Sequence, residues 1–263
     1  MRQNKMLVTL SSPLVLTASM VLVLLLGMST PSARSAEKIE GDHLATSDGD
    51  LIIHPINHAM FVMSWKDKTI YVDPVGTGKR FDGLPRPDLI LVTDIHGDHL
   101  SPETLEAVAD SKTTIVAPSA VAEKLPEKLR KQATVLANGE TKSVAGVSIE
   151  AVPMYNLTAD RLKYHNKGRG NGYVITVAGK RVYISGDTED IPEMRALKSI
   201  DVAFICMNLP YTMTEEQAAS AVREFKPKVV YPYHYRGSDV EQFKKLVGDG
   251  SGVEVRLRDW YKP

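Results

Sequence analysis

The sequence has a single cysteine, Cys206, and no excess of charge of either sign. One cysteine excludes an internal disulfide and any cysteine-rich zinc site. Lysine plus arginine and aspartate plus glutamate number 32 each, so no overall field attracts polyanions. Nucleic acid is therefore not expected as a partner, and a small-molecule substrate is the simpler expectation.

Residues 1–36 have the composition of an export segment. Arg2 and Lys5 precede a long apolar run, and small residues follow it in "STPSARSAEK". A positive, an apolar and a small-residue region together are typical of a signal peptide, although a run of about 23 residues also suffices to cross a bilayer once. The sequence thus predicts a signal peptide or a membrane anchor, and an extracytoplasmic protein, periplasmic or secreted. Membrane contact is expected only if the segment is retained.

The remainder, residues 41–263, alternates short β-rich runs with turn signals and a few helical segments. "PDLILVT" is almost entirely apolar, as expected of a strand buried on both faces. "TMTEEQAASAVREF" opens with Thr214 and Gln217 in the spacing of a helix capping box. Two packed sheets with helices outside would bury these elements, which predicts one α/β (α+β) domain over 41–263.

The stretch "LVTDIHGDHL" places four titratable side chains directly after a predicted buried strand. Loops at strand ends commonly carry functional residues, and imidazole nitrogens with carboxylate oxygens suit zinc, iron or manganese. We interpret the cluster as part of a metal site. The alternative is that Asp98 caps the following turn while the imidazoles bond to the backbone. The four residues are Asp94, His96, Asp98 and His99.

The same stretch resembles the H-x-H-x-D-H loop of the metallo-β-lactamase-fold hydrolases. Three further segments support the likeness, in the order that resembles the branch of the bacterial ascorbate-phosphate lactonase: "NHAMFVMSWKDKTIYVDPVG", "VYISGDTEDIP" and "YPYHYRG". The resemblance implies a four-layer αββα sandwich with one or two divalent ions, zinc being favoured, in a cleft at one edge.

The resemblance also implies roles for individual residues. His96 would bind the first ion, Asp187 would bridge both ions, and the second ion would be held by Asp98, His99 and His234. A hydroxide held between the ions would be the nucleophile, and Asp98 would handle the proton passed to the leaving group.

Two positions depart from the family pattern. Asp94 stands where the family has its first histidine, and Asn156 where a third first-site histidine is expected. Carboxylate and amide oxygens harden a site, favouring manganese or iron over zinc, so we expect a weaker, harder or vacant first site. His165 could replace the missing ligand, contact the substrate or lie on the surface.

Two residues beside the metal loop have weaker predictions. Asp73 either holds a ligand imidazole in its tautomer from behind or forms a turn with Pro74. His58 is expected either to be structural, which we favour, or to support a metal ligand from behind as Asp73 does. The cationic loop "YHNKGRGNGY" would receive a phosphate or carboxylate if it faced the cleft, and would be merely solvated otherwise.

These residues predict a metal-dependent hydrolase of a small ester, lactone or phosphoester. A lipid phosphodiesterase is one alternative, because the N-acyl phosphatidylethanolamine phospholipase family resembles the same fold. The other alternative is a catalytically inactive metal-binding module, which Asp94 keeps open.

Overall fold

The computed structural model describes Met1 and residues 39–261. Residues 39–261 belong to one compact unit. The signal peptide or anchor predicted for residues 1–36 lies outside the described residues, apart from Met1, and stays a prediction. No helix in the described part of the chain is long and apolar enough to cross a membrane.

Within residues 39–261 the strands form two seven-stranded sheets, each built from strands that are consecutive in the chain. The first sheet contains β1 (Asp42–Thr46), β2 (Gly49–Asn57), β3 (Met60–Trp65), β4 (Lys68–Val72), β5 (Leu89–Leu91), β6 (Thr114–Ala117) and β7 (Ala133–Val135). The second contains β8 (Thr141–Val144), β9 (Val147–Met154), β10 (Gly170–Val177), β11 (Lys180–Ile184), β12 (Val202–Cys206), β13 (Val229–Tyr233) and β14 (Glu254–Val255).

Both sheets change from antiparallel to parallel pairing along their width. In the first sheet β1 to β4 pair antiparallel and β4 to β7 parallel. In the second sheet β8 to β11 pair antiparallel and β11 to β14 parallel. Because parallel strands all point the same way, the loops that follow them emerge at one edge of each sheet.

Helices follow the parallel strands in both halves. They are α1 (Pro102–Val108), α2 (Ser119–Ala122), α3 (Glu127–Arg130), α4 (Pro192–Arg195), α5 (Glu215–Phe225) and α6 (Val240–Val247). The predicted capping box begins α5: the Thr214 hydroxyl accepts the Gln217 N–H at 3.1 Å, and the Gln217 side chain accepts the Thr214 N–H at 3.0 Å. This prediction is confirmed.

The two sheets face each other across a shared apolar core. Phe61 of β3 stacks on Phe204 of β12 with ring centroids 4.1 Å apart. The other face of the first sheet packs on α1, where Val62 and Leu105 share a second apolar cluster. On the far side, Tyr183 of β11 meets Phe225 of α5 edge to face at 6.1 Å.

The layers are therefore helices, sheet, sheet and helices, each burying its apolar face on the next. The predicted αββα sandwich is confirmed.

Candidate metal centre

Titratable side chains gather where the parallel strands end. Asp73 directly follows β4, the loop carrying His99 follows β5, Asp187 follows β11, and His234 directly follows β13. Ligand sites of α/β proteins commonly form at the carboxyl ends of the strands, where the loops converge. The fold thus brings together groups that are far apart in the chain.

Three residues at this edge have left-handed backbone conformations. The φ angles are 54° at His58, 44° at Asp73 and 49° at His234. Such conformations of non-glycine residues cost on the order of 1–3 kcal/mol and persist only where the surroundings enforce them. Here the backbone N–H of His234 donates to the carbonyl of His58 at 3.1 Å, and that of His58 to Trp260 at 3.0 Å.

Four side chains form what we call the main cluster: Asp98, His99, Asp187 and His234. Each offers one ligand atom, and these atoms lie within 4.8 Å of one another. The Nε2 atoms of His99 and His234 each lie 3.3 Å from a carboxylate oxygen of Asp187. Two imidazoles with two carboxylates make a donor set that divalent transition metals accept.

Two ligand atoms of the main cluster are buried without a hydrogen-bond partner among the described residues. They are Nε2 of His99 and Oδ1 of Asp187, and Nε2 of the neighbouring His165 is buried and unpaired as well. Leaving a buried polar atom unpaired costs about 1–3 kcal/mol. A divalent cation would satisfy these atoms together, so the residues fit the ion that the donor set implies.

The charged side chains of the main cluster shift one another's pKa values. Burial by itself lowers the pKa of His99, but Asp187 and Asp73 raise it well above its usual range. Burial raises the pKa of Asp187, but His234 and His99 hold it well below its usual range. The Asp98 pKa is also lowered: burial raises it, and hydrogen bonds with His234 and His58 outweigh that effect. Both carboxylates are therefore ionised and attract cations.

Asp73 supports the cluster from behind. Its Oδ2 lies 2.8 Å from Nδ1 of His99 and accepts the Thr93 hydroxyl at 2.7 Å, while its Oδ1 accepts the backbone N–H of Thr93 at 2.8 Å. With Nδ1 engaged by a carboxylate, Nε2 of His99 is directed at the main cluster. The backbone bends at Asp73, just before Pro74, with a φ angle of 44°.

A second group, which we call the second cluster, comprises Asp94, His96 and His165, with ligand atoms again within 4.8 Å of one another. His165 is 1% exposed, which excludes a surface role for it. Its Nε2 lies 3.3 Å from Oδ2 of Asp187 and 4.0 Å from Oδ2 of Asp94. The loop histidine thus lies beside both clusters.

Asn156 lies behind His165 rather than among the ligand atoms. Its Oδ1 is 2.7 Å from Nδ1 of His165, and its Nδ2 donates to the carbonyl of Tyr211 at 2.8 Å. Both polar atoms of the amide are therefore used within the protein. Asn156 fixes the orientation of the imidazole and does not itself offer the ligand atom considered for this position.

Arg169 forms a two-point ion pair with Asp94, which the sequence did not predict. Its Nε donates to Oδ1 at 3.0 Å and its Nη2 to Oδ2 at 2.7 Å. Burial raises the pKa of Asp94, but hydrogen bonds with His96 and Arg169 bring it below its usual value. Lys167 of the same loop pairs with Glu193 at 2.7 Å. Two cations of the loop are thus engaged by carboxylates of the protein itself.

Glu189, which follows β11, anchors the loop that carries His165. Its buried carboxylate accepts the backbone N–H groups of Leu157 and Thr158 at 2.7 Å each, and Arg161 at 3.0 Å. Burial raises the pKa of Glu189, and these donors lower it below its usual value. In "SGDTEDIP" nothing distinguishes this glutamate from a surface residue, so the sequence did not reveal it.

His58 lies beside the main cluster and contacts one of its carboxylates. Its Nε2 lies 3.2 Å from Oδ2 of Asp98, its Nδ1 lies 2.7 Å from the Tyr261 hydroxyl, and its ring is 3.7 Å from that of His234. Burial is the main reason why its pKa is lowered. A neutral His58 can restrain the Asp98 carboxylate at the cleft.

The clusters open into a cleft of about 520 Å³, within the size range of small-molecule sites. Its walls combine residues of both clusters with aromatic, amide and guanidinium groups. The lining residues are His58, His96, Asp98, Tyr164, His165, Asp187, Asn208, Tyr211, His234 and Arg236.

Comparison of the sequence with known proteins identifies the family of this chain. A profile described as "Beta-lactamase superfamily domain" matches residues 53–234. The UPF0173 metal-dependent hydrolase of Pyrococcus abyssi is 35% identical over 215 residues, covering 76% of this chain and 93% of the relative. The chain belongs to the beta-lactamase superfamily. A second UPF0173 relative, from Thermococcus kodakarensis, is 32% identical over 213 residues with the same coverage of both chains.

Solved structures agree with this membership. A protein of Parabacteroides distasonis described as a metal-dependent hydrolase is 43% identical, with a TM-score of 0.78, over 86% of this chain and 100% of that one. The metallo hydrolase Igni18 of Ignicoccus hospitalis shares the fold at 23% identity, with a TM-score of 0.67 over 81% and 96% of the two chains. This superfamily member is a metal-dependent hydrolase with histidine and aspartate metal-binding groups.

Proposed function

We propose that the protein hydrolyses a small ester, lactone or phosphoester with the help of a divalent ion held by the main cluster. The observation that carries this proposal is the convergence of four ligand atoms within 4.8 Å at a cleft of small-molecule size. When bound by Asp98, His99, Asp187 and His234, such an ion would lower the pKa of water and polarise the carbonyl or phosphoryl group under attack.

Asp98 is the group that transfers the proton in this proposal. Asp98 is half exposed in the cleft, and its lowered pKa keeps it ionised. Its carboxylate accepts a proton from the attacking water and delivers it to the leaving oxygen. Contacts of Oδ2 with His58 and His234, at 3.2 and 3.3 Å, hold the carboxylate in place for this transfer.

Zinc is the proposed ion, because imidazole and carboxylate ligands suit it well. Manganese and iron accept the same donors, and the oxygen of Asp94 would favour them at the first site. Loading the purified protein separately with each metal discriminates among them.

The walls of the cleft favour a polar or anionic substrate group beside an aromatic surface. Arg236 is exposed at the cleft, and a guanidinium binds carboxylate and phosphate oxygens in pairs. Tyr164 and Tyr211 contact each other with ring centroids 4.9 Å apart and can pack on an acyl or ring portion.

One observation favours the lipid phosphodiesterase as a second candidate. Leu157 and Leu162 precede His165 in its loop, and Leu209 follows β12; each is between 45% and 49% exposed. The two loops touch through Tyr164 and Tyr211, which line the cleft. Exposed apolar side chains on both loops are suited to a substrate with an acyl chain.

We further propose an extracytoplasmic location, periplasmic or secreted, with a small molecule as the partner. The proposal is supported by Arg2, Lys5 and the apolar run in the first 36 residues. Retention of that segment would make the protein membrane-anchored.

The test is a substrate panel assayed with zinc-, manganese- or iron-loaded protein. Lactones, carboxylic esters, phosphomonoesters, phosphodiesters and a phosphatidylethanolamine derivative cover both candidates. His99→Ala should abolish hydrolysis. His43→Ala, at an exposed histidine of β1, is the control and should retain it. An ion-binding protein that hydrolyses nothing in the panel would support the inactive metal-binding alternative.

A further inference from the structure

The side chain of Arg169 lies where the second cluster would otherwise hold a cation. Its guanidinium donates to both oxygens of Asp94, at 3.0 and 2.7 Å. The Asp94 side chain is fully buried and that of Arg169 is 18% exposed. A two-point contact between a guanidinium and a carboxylate is among the strongest hydrogen-bonded ion pairs in proteins.

The same guanidinium also faces His96. Nη2 of Arg169 lies 3.3 Å from Nε2 of His96, while Nδ1 of His96 lies 3.0 Å from Oδ2 of Asp94. With its Nδ1–H donated to the carboxylate, the imidazole presents the Nε2 lone pair to Arg169. Two of the three side chains of the second cluster thus have their ligand atoms directed at a guanidinium.

The backbone holds Arg169 at this position. The following residue, Gly170, approaches the carbonyl of Thr93 so closely that a Cβ built there would lie 2.9 Å from it. The backbone N–H of Asn171 donates to the same carbonyl at 2.9 Å. The start of β10 is therefore fixed against the residue before Asp94, and the short distance between the two backbones lets the side chains meet.

We propose that the guanidinium of Arg169 replaces the first metal ion, so that the protein binds a single divalent ion, at Asp98, His99, Asp187 and His234. This inference rests on the metal-dependent function proposed above. A guanidinium group carries a positive charge throughout the physiological pH range. A divalent cation between Asp94 and His96 would have to displace it or be repelled by it.

Asp94 has a defined purpose in this arrangement. A carboxylate accepts both prongs of a guanidinium, whereas an imidazole at the same position has no second acceptor for the fork. Asp94, in the position where the family has a metal-binding histidine, thus binds a permanent positive charge instead of a metal ion. His165, whose Nε2 lies nearer to Asp187 than to Asp94, remains beside the main cluster.

The experiment counts metal ions. The full chain is dialysed against excess zinc, and bound zinc per chain is determined by elemental analysis and titration calorimetry. We expect one ion in the wild type and two in Arg169→Met, which keeps an unbranched apolar stem but removes the guanidinium. Lys163→Met, at an exposed cation of the same loop, is the control and should bind one ion. Two ions in the wild type, or one in a folded Arg169→Met variant, would overturn the inference.

A spectroscopic measurement avoids dependence on the folding of the variant. Manganese-saturated wild-type protein should give the electron paramagnetic resonance signal of an isolated Mn²⁺, without the exchange coupling of a neighbouring pair. A coupled spectrum would refute the replacement while leaving the hydrolase proposal intact. Absence of any bound ion would refute both, since the main cluster would then hold no metal.

Discussion

Nδ1 of His99 lies 2.8 Å from Oδ2 of Asp73, and both side chains are fully buried. The two residues are 26 positions apart and follow neighbouring parallel strands, β4 and β5. The carboxylate fixes which nitrogen of His99 is free, and that nitrogen is one of the unpaired atoms at the centre of the main cluster. The pair links the order of the strands to the chemistry of the site.

Asp73→Asn should weaken metal binding about 10- to 100-fold, as expected when the partner of a ligand imidazole is changed. The amide can present its NH2 group to Nδ1 and so favour the wrong tautomer of His99. The measurement is the dissociation constant for zinc by chelator competition. Asp67→Asn, at an exposed turn between β3 and β4, is the control and should match the wild type. Equal affinities of the two variants would contradict the supporting role of Asp73.

Asn156→Ala should lower the free energy of unfolding by about 2 kcal/mol, because Nδ1 of His165 and the carbonyl of Tyr211 lose their partners. Urea denaturation monitored by circular dichroism measures this change. Asn166→Ala, at an exposed asparagine of the same loop, should have almost no effect. If both variants were as stable as the wild type, the amide would not be holding His165.

Glu189→Gln should destabilise the fold by about 2 kcal/mol at neutral pH, since the carboxylate accepts several charge-assisted hydrogen bonds. The pKa of Glu189 in the folded protein lies below its usual 4.5. Its contribution is therefore fully present above about pH 4.5 and is lost as the pH falls through the folded-state pKa.

The measurement for Glu189 is the difference in unfolding free energy between wild type and variant at a series of pH values. The difference should shrink on acidification below pH 4.5. Glu106→Gln, at an exposed position of α1, should give a small and nearly constant difference. If the difference in unfolding free energy between wild type and Glu189→Gln grew at low pH, the ionised carboxylate would not be what stabilises the loop.

Removing the metal should lower the thermal midpoint of unfolding. An ion present at about 100 times its dissociation constant stabilises the folded state by about 2.7 kcal/mol. Scanning calorimetry of the protein before and after treatment with a chelator measures the loss, and added zinc should restore the midpoint. His99→Ala should respond to neither treatment. A wild-type midpoint indifferent to the chelator would show that no ion binds the folded state preferentially.

The sequence predicted the fold well because the relevant signals are local. Apolar runs such as "PDLILVT" and the capping box at Thr214 depend on residues within a few positions of one another. The candidate residues Asp98 and His99 were found for the same reason, since they are adjacent in the chain. Asp187 and His234 were assigned through the resemblance, because no local pattern ties them to the loop after β5.

The sequence by itself thus determined the αββα layers and the presence of metal-binding residue types at the strand ends. Only the tertiary structure decided that Arg169, 75 positions from Asp94, forms an ion pair with that carboxylate. It likewise decided that Asn156 orients His165 and that Glu189 binds the backbone of the loop that carries His165. Hydrogen bonding and charge pairing depend on atoms meeting within about 3 Å. Such meetings are set by how sheets and loops pack, which the spacing of residues along one chain does not specify.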